Sequence, residues 1–274
     1  MSKFEGLPSW RMISLKECSD RREKMVEQFQ RYGISDYHFY LSQRYDTFNS
    51  PLFIKYHHDH ARSHIGTTIS HLENMRQWYL TTNEPYAIFS DDDIDLSYSE
   101  YWNFTWREFF DSLPQDWECV QLIRIMNMVS DKHLRDDPYD ATLQMFWGRW
   151  WGVCSIMRRS FVRRCLERHI TGPFSYDLRC DQNAEKWTGE TDAISYAENV
   201  LYLDNGRIVN FPLFGELDNE TTIHGPDVAT RNRYKSYNFE IFRNLWKVHG
   251  ANMDLSIALN PDSNISPYGV TENI

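Results

Sequence analysis

The chain opens with two apolar runs separated by an amphipathic stretch. Residues 11–15 read as a short strand and 16–20 are polar. From 21 to 32, Met25, Phe29 and Tyr32 recur at helical spacing. Gly33 stops that helix, and Asp20 is placed to cap its start. Residues 37–40 read as a second strand, and a strand–helix–strand opening predicts a parallel sheet. Residues 47–63 are polar and irregular. A helix is predicted over 65–80, with Ile69, Leu72, Met75 and Tyr79 on one face and His71 beside it. After the turn Asn83-Glu84-Pro85, the run 86–89 reads as a buried strand. Further on, 98–113 reads as an aromatic helix ended by Pro114, 117–123 as a strand and 127–142 as a loop. Residues 153–157 read as a strand, 158–169 as a helix and 172–189 as a loop. The segment 193–197 is apolar at helical period, 200–203 and 207–211 are short strands, and 239–249 is a helix. This pattern predicts an α/β fold with a parallel sheet, and 274 residues suffice for one large domain or two small ones. A flexible tail is expected over 260–274.

The strand 86–89 runs into Asp91, Asp92, Asp93 and Asp95. Packed carboxylates repel one another and are costly to bury unpaired, so a positive group belongs among them. A hard divalent cation, Mn²⁺ or Mg²⁺, held by carboxylate oxygens meets that need. The two Asp-x-Asp pairs, 91/93 and 93/95, suit it, and ligands of open α/β sheets bind beyond the carboxyl ends of the strands. A solvated acidic turn is the alternative. Arg21 and Arg22 begin the first helix, where the helix dipole disfavours them. They are either a solvated pair or a phosphate site. His57, His58, His60 and His64 form either a polar loop or a metal-hydrolase cluster. Trp147, Trp150 and Trp151 are crowded between glycines, and Asp192 stands at the start of a helix.

Composition narrows the classes. Hydrophobic residues make up 41% and aromatics 15%, enough for a sizeable core, which excludes general disorder. A formal net charge of −10 argues against a nucleic-acid partner and against an anionic membrane surface. No long uncharged apolar run is present, so no integral membrane segment is expected. The five cysteines are scattered, without Cys-x-x-Cys spacing, and no apolar signal region precedes the first strand. A cytoplasmic protein with free thiols is expected. Dinucleotide, P-loop, esterase and zincin motifs are missing from the sequence.

Taken in order, several segments resemble the family-25 glycosyltransferases, the lipopolysaccharide-type and collagen-type galactosyltransferases. Ile13-Ser14-Leu15 through Asp20-Arg21-Arg22 is similar to that family's Asn-Leu…Asp-Arg-Arg opening, with Ser14 in place of Asn. Gly33-Ile34 matches the end of its first helix. The block 65–72, ending in Ser70-His71-Leu72, is similar to its Ile-Gly-Cys…Ser-His block, and Asp91-Asp92-Asp93-Ile94 to its Glu-Asp-Asp-Val/Ile. Residues 117–124, Trp150-Trp151-Gly152 through Phe161, and Thr191-Asp192 follow in the family's order. The resemblance implies a GT-A fold, a single α/β domain over 1–259 with a mostly parallel, Rossmann-like central sheet flanked by helices, and inverting transfer of a hexose, typically galactose, from a UDP-sugar to a glycan or glycoconjugate hydroxyl. It implies donor binding by Ser14, Leu15, Arg21, His71, Asp91 and Asp92. Mn²⁺ or Mg²⁺ would be held by Asp91 and Asp93, with His224 as a further ligand. Acceptor binding would fall to Trp150 and Trp151. Such a transfer needs a base for the acceptor's proton, for which Asp192 is the candidate and Glu190 the substitute. A non-catalytic carbohydrate-binding protein, with the tryptophans stacking sugars, and the histidine-loop hydrolase are the competing functions.

Overall fold

The computed structural model describes residues 2–42, 59–124, 142–148, 153–173, 175–178, 197–202, 207–217 and 228–263, without the side chains of 59–62, 199 and 228–238. Its strands in chain order are β1 (Trp10–Leu15), β2 (Tyr37–Ser42), β3 (Tyr86–Ser90), β4 (Ile94–Asp95), β5 (Cys119–Gln121) and β6 (Phe146–Trp147). They continue with β7 (Cys154–Arg158), β8 (Ile170–Gly172), β9 (Ser175–Tyr176), β10 (Ile208–Asn210) and β11 (Gly215–Glu216). The helices are α1 (Ser19–Tyr32), α2 (Asp59–Thr81), α3 (Trp106–Asp111), α4 (Arg159–His169), α5 (Ala197–Leu201), α6 (Val228–His249) and α7 (Leu255–Ala258).

Seven strands form one sheet in the order β2-β1-β3-β7-β5-β10-β6. β1 is parallel to β2 and β3, β7 is antiparallel to β3 and β5, β10 is parallel to β5, and β6 is antiparallel to β10. Five of the seven strands therefore share one direction. The sheet is mostly parallel, as expected, with β7 inserted against the grain.

Strand alternation sorts the core into two layers. Trp10, Met12, Ile88, Val120 and Ile156 face the layer that contains Met25 and Phe29 of α1, Trp106 and Phe109 of α3, and Phe242 and Trp246 of α6. Ala87, Phe89, Cys119 and Met157 face Leu72, Met75 and Trp78 of α2 and Phe161 and Val162 of α4.

α1 ends as its sequence predicts. Gly33 takes a left-handed φ of 71°, its N–H donates to Gln30 O, and Ile34 N–H donates to Phe29 O at 2.8 Å. This is a Schellman closure, with buried Ile34 packed over the last turn. The start differs from expectation: Cys18, without a side-chain bond, occupies the cap, and Asp20 lies inside the first turn, where it complements the dipole.

The aromatic segment 98–113 is also divided. A 3₁₀ turn over Ser97–Tyr101 precedes α3, which starts afresh at Thr105 because Thr105 and Glu108 bond reciprocally as a capping box. Val200 and Leu201, expected in a strand, belong to α5, where they pack on the α2–α4 layer. Buried Arg124 donates to Asn210 Oδ1 at 2.6 Å and to the carbonyls of Thr142 and Gln144 at 2.9 Å, fixing the approach to β6. Residues 260–263 form a turn joined to Gln144 and Trp147 by hydrogen bonds from Gln144 Nε2 to Ser263 O and from Trp147 Nε1 to Asp262 Oδ1. Among the described residues no helix is long and apolar enough to cross a membrane.

Candidate functional site

β3 ends at Ser90, beside β1, with Met12 opposite Ser90. Two further residues of β1 bring Ser14 level with the acidic turn. Continuing the strand's alternation sends Asp91 and Asp92 to opposite layers, and the bend at Asp92 keeps Asp93 beside Asp92 rather than returning it to the side of Asp91. Asp91 falls on the α2 side, where its Oδ1 lies 3.0 Å from His71 Nε2. Asp92 falls on the α1 side, where Arg21 Nη2 lies 2.5 Å from Asp92 Oδ1 and 3.0 Å from Asp93 Oδ2. The side chains of Arg21, Asp92 and Asp93 are 12%, 6% and 9% exposed, whereas Asp91 keeps 31% and is the outward member.

Electrostatics follow from that crowding. Burial pushes the Asp92 carboxyl up to about 6; Asp93 and Asp91 add to the rise, and Arg21 and the Ser14 hydroxyl oppose it. Burial also works against the Arg21 guanidinium, but Asp93, Asp92 and Asp91 outweigh it and hold Arg21 above its ordinary value. Among the described residues these three carboxylates are met by one guanidinium, which leaves negative charge in excess, and Asp92 Oδ2 is buried there without a hydrogen-bond partner.

The backbone of the turn is anchored. Asp91 N–H donates to Val153 O at 3.2 Å, and Leu217 N–H to Asp93 O at 2.6 Å. Ser90 Oγ accepts from Trp10 Nε1 and donates to Asp91 O, both at 2.8 Å. Asp95 turns away from the cluster. Its carboxylate accepts from Ser97 N–H at 2.8 Å and Oγ at 3.0 Å, and pairs with Arg243 Nη2 of α6 at 2.6 Å.

Of the residues singled out in the sequence, Ser14, Leu15, Arg21, His71, Asp91, Asp92 and Asp93 converge here. The Arg21 guanidinium pairs with the Asp92 and Asp93 carboxylates. His71 is fully buried, with its Nε2 against Asp91. Arg22 closes the end of β1, donating to Ser14 Oγ at 3.0 Å and to the carbonyls of Leu15 and Lys16. Trp147 pairs with Val209 on the far edge strand, four strands from β3, roughly 19 Å at ~4.8 Å per strand. Its indole bonds Asp262, and Arg207 lies over its ring. Asp192, Glu190, His224, Trp150 and Trp151 lie outside the described residues, as do His57, His58 and the side chain of His60; His64 is buried on α2. Arg243 and Trp10, which support the turn, carry no local signal along the chain that points to this role.

The donor set fits a hard divalent cation. Asp91 and Asp93 offer carboxylate oxygens, and the excess charge is what such an ion neutralises. Among the described residues no three His, Cys, Asp or Glu side chains are grouped as a metal centre.

Fold and site together define an α/β protein whose mostly parallel sheet carries an anchored, charge-unbalanced acidic turn at its carboxyl end. No protein-family model matches the chain, and no curated protein matches its sequence.

Proposed function

We propose that this chain is a metal-dependent inverting glycosyltransferase that moves a hexose, galactose favoured, from a UDP-sugar to a hydroxyl of a glycan or glycoconjugate. The observation that carries the proposal is the acidic turn: three clustered carboxylates, met by one guanidinium among the described residues, at the carboxyl end of a strand of a mostly parallel sheet, next to the first turn of α1. Asp91 and Asp93 would hold Mn²⁺ or Mg²⁺, which when bound supplies positive charge to the leaving diphosphate. Buried His71 orients the Asp91 carboxylate, as partners behind a metal ligand do. Arg21 keeps Asp92 and Asp93 together against their mutual repulsion. Ser14 and Leu15, at the end of β1, border the donor. Asp192, with Glu190 as substitute, takes the acceptor's proton, and Trp150 and Trp151 offer apolar faces to the acceptor sugar. His224 is the proposed third metal ligand.

A cytoplasmic setting accompanies this proposal. It is supported by Cys18, Cys119, Cys154 and Cys165, all free of disulfides. Incubation with UDP-galactose, Mn²⁺ and a glycan acceptor should release UDP, and EDTA should stop the release. Full activity in EDTA overturns the metal role, and the absence of UDP release from every UDP-hexose overturns the transferase assignment.

A further inference from the structure

α1 grips the acidic segment twice, and the second grip is an uncharged side chain. Gln28 lies seven residues after Arg21, about 20° short of two full helical turns, so both project from one face, about 10.5 Å apart along the axis. Gln28 Nε2 donates to Ile94 O at 2.8 Å, and Leu96 N–H donates to Gln28 Oε1 at 2.9 Å. A carbonyl and an N–H two residues apart are what a neighbouring strand would engage. The other edge of the same segment is taken by β11, through Gly215 opposite Asp95 and the Leu217 N–H on Asp93 O. Backbone groups of residues 93 and 95 thus serve β11, while those of 94 and 96 serve Gln28, which stands in for a missing strand. The distances match: three extended residues, from 93 to 96, span roughly 10 Å at ~3.3 Å each.

We infer that Gln28 is a positioning residue for the acidic site. By tying the backbone at Ile94 and Leu96 to the helix that also carries Arg21, it sets the spacing of the Asp91, Asp92 and Asp93 carboxylates and hence their affinity for a divalent cation. Only the amide of glutamine both donates and accepts at this reach; glutamate keeps the bond to Leu96 N–H and loses the one to Ile94 O. The choice of cation rests on the glycosyltransferase proposal; the grip itself does not.

The test uses Gln28→Met and Gln28→Glu, with Gln30→Met on the exposed side of α1 as control. Amide hydrogen exchange over 91–97 is measured in ligand-free protein, and Mn²⁺ alone is titrated by calorimetry. Exchange over 91–97 should rise about tenfold or more in Gln28→Met and by less in Gln28→Glu, which keeps the bond to Leu96 N–H, with 86–90 unchanged. Mn²⁺ affinity should fall about 10- to 100-fold, as it does when supports of metal ligands are removed. The control should match wild type. Unchanged exchange in both Gln28 variants overturns the inference, and so does raised exchange with Mn²⁺ affinity equal to wild type. A wild type that binds no Mn²⁺ removes the cation and the proposed function; the grip on the turn is then decided by exchange alone, standing if it rises and falling if it does not.

Discussion

Replacing Arg21 with methionine keeps an unbranched apolar stem and removes the guanidinium that bridges Asp92 and Asp93. The two contacts, 2.5 and 3.0 Å, are made between side chains that are almost wholly buried. Stripping one partner from a buried ion pair costs roughly 3–5 kcal/mol. Arg21 retains some solvent contact, and Asp92 can escape by binding a proton, since burial already holds its carboxyl at about 6. The loss at pH 7.5 should therefore lie near the lower end, about 3 kcal/mol, or a fall in Tm of roughly 6–12 °C for a chain of this size. The pH dependence has a definite sign. A carboxyl raised in the folded state contributes stability that is complete below its unfolded value and is lost as pH rises through its folded value. Without Arg21 that folded value rises further, so the gap to wild type should be smallest near pH 5 and widest near pH 8. Adding Asp92→Asn to Arg21→Met should recover most of the loss. Urea unfolding followed by tryptophan fluorescence, in EDTA and without nucleotide, measures each of these. A variant as stable as wild type across this range, or more stable, as removal of a cation reserved for a ligand phosphate would give, refutes the counter-ion role.

Asp93→Asn should abolish Mn²⁺-dependent activity with little change in Tm. Asp95→Asn should show the reverse, because Asp95 anchors Ser97 and Arg243 rather than the cluster; kinetics and melting of both variants check this. Asp192→Asn should lower kcat by about 10²- to 10⁴-fold while UDP-sugar affinity holds, as loss of a general base does; near-normal turnover moves the role to Glu190. His169 is buried, with Nδ1–H donating to Asp177 O at 2.7 Å, and burial lowers its pKa. Its contribution to stability should be complete above the ordinary histidine value of about 6.5 and be lost as pH falls through the lower folded value. Stability against pH for His169→Gln should lack that acidic slope.

The elements that could be read from the sequence are those whose signal is local. β1, α1, β2 and β3 each occupy one unbroken period, Gly33 closes α1 by its own conformation, and the aspartates follow β3 directly. What escaped depends on contacts between distant segments. Arg21 looks misplaced against the helix dipole until β1 and β3 become neighbours and bring Asp92 and Asp93 beside it. Gln28 is a polar residue on an amphipathic helix, and nothing in its surroundings along the chain separates it from Gln30. The apolar run 153–157 is equally good as a parallel or an antiparallel strand, so the reversed direction of β7 was invisible. The break between the 3₁₀ turn and α3 had a readable sign in Thr105-x-x-Glu108, overridden by the aromatic periodicity that runs through it.

The proposed function stands on a nucleotide sugar binding at the acidic turn through a divalent cation. Calorimetric titration of UDP into the wild-type chain, once with Mn²⁺ and once with EDTA, and again into Asp93→Asn with Mn²⁺, tests it. UDP should bind in Mn²⁺ to the wild type and lose most of its affinity in EDTA and in Asp93→Asn. Absence of binding to the wild type in Mn²⁺, or equal affinity in all three titrations, would contradict it.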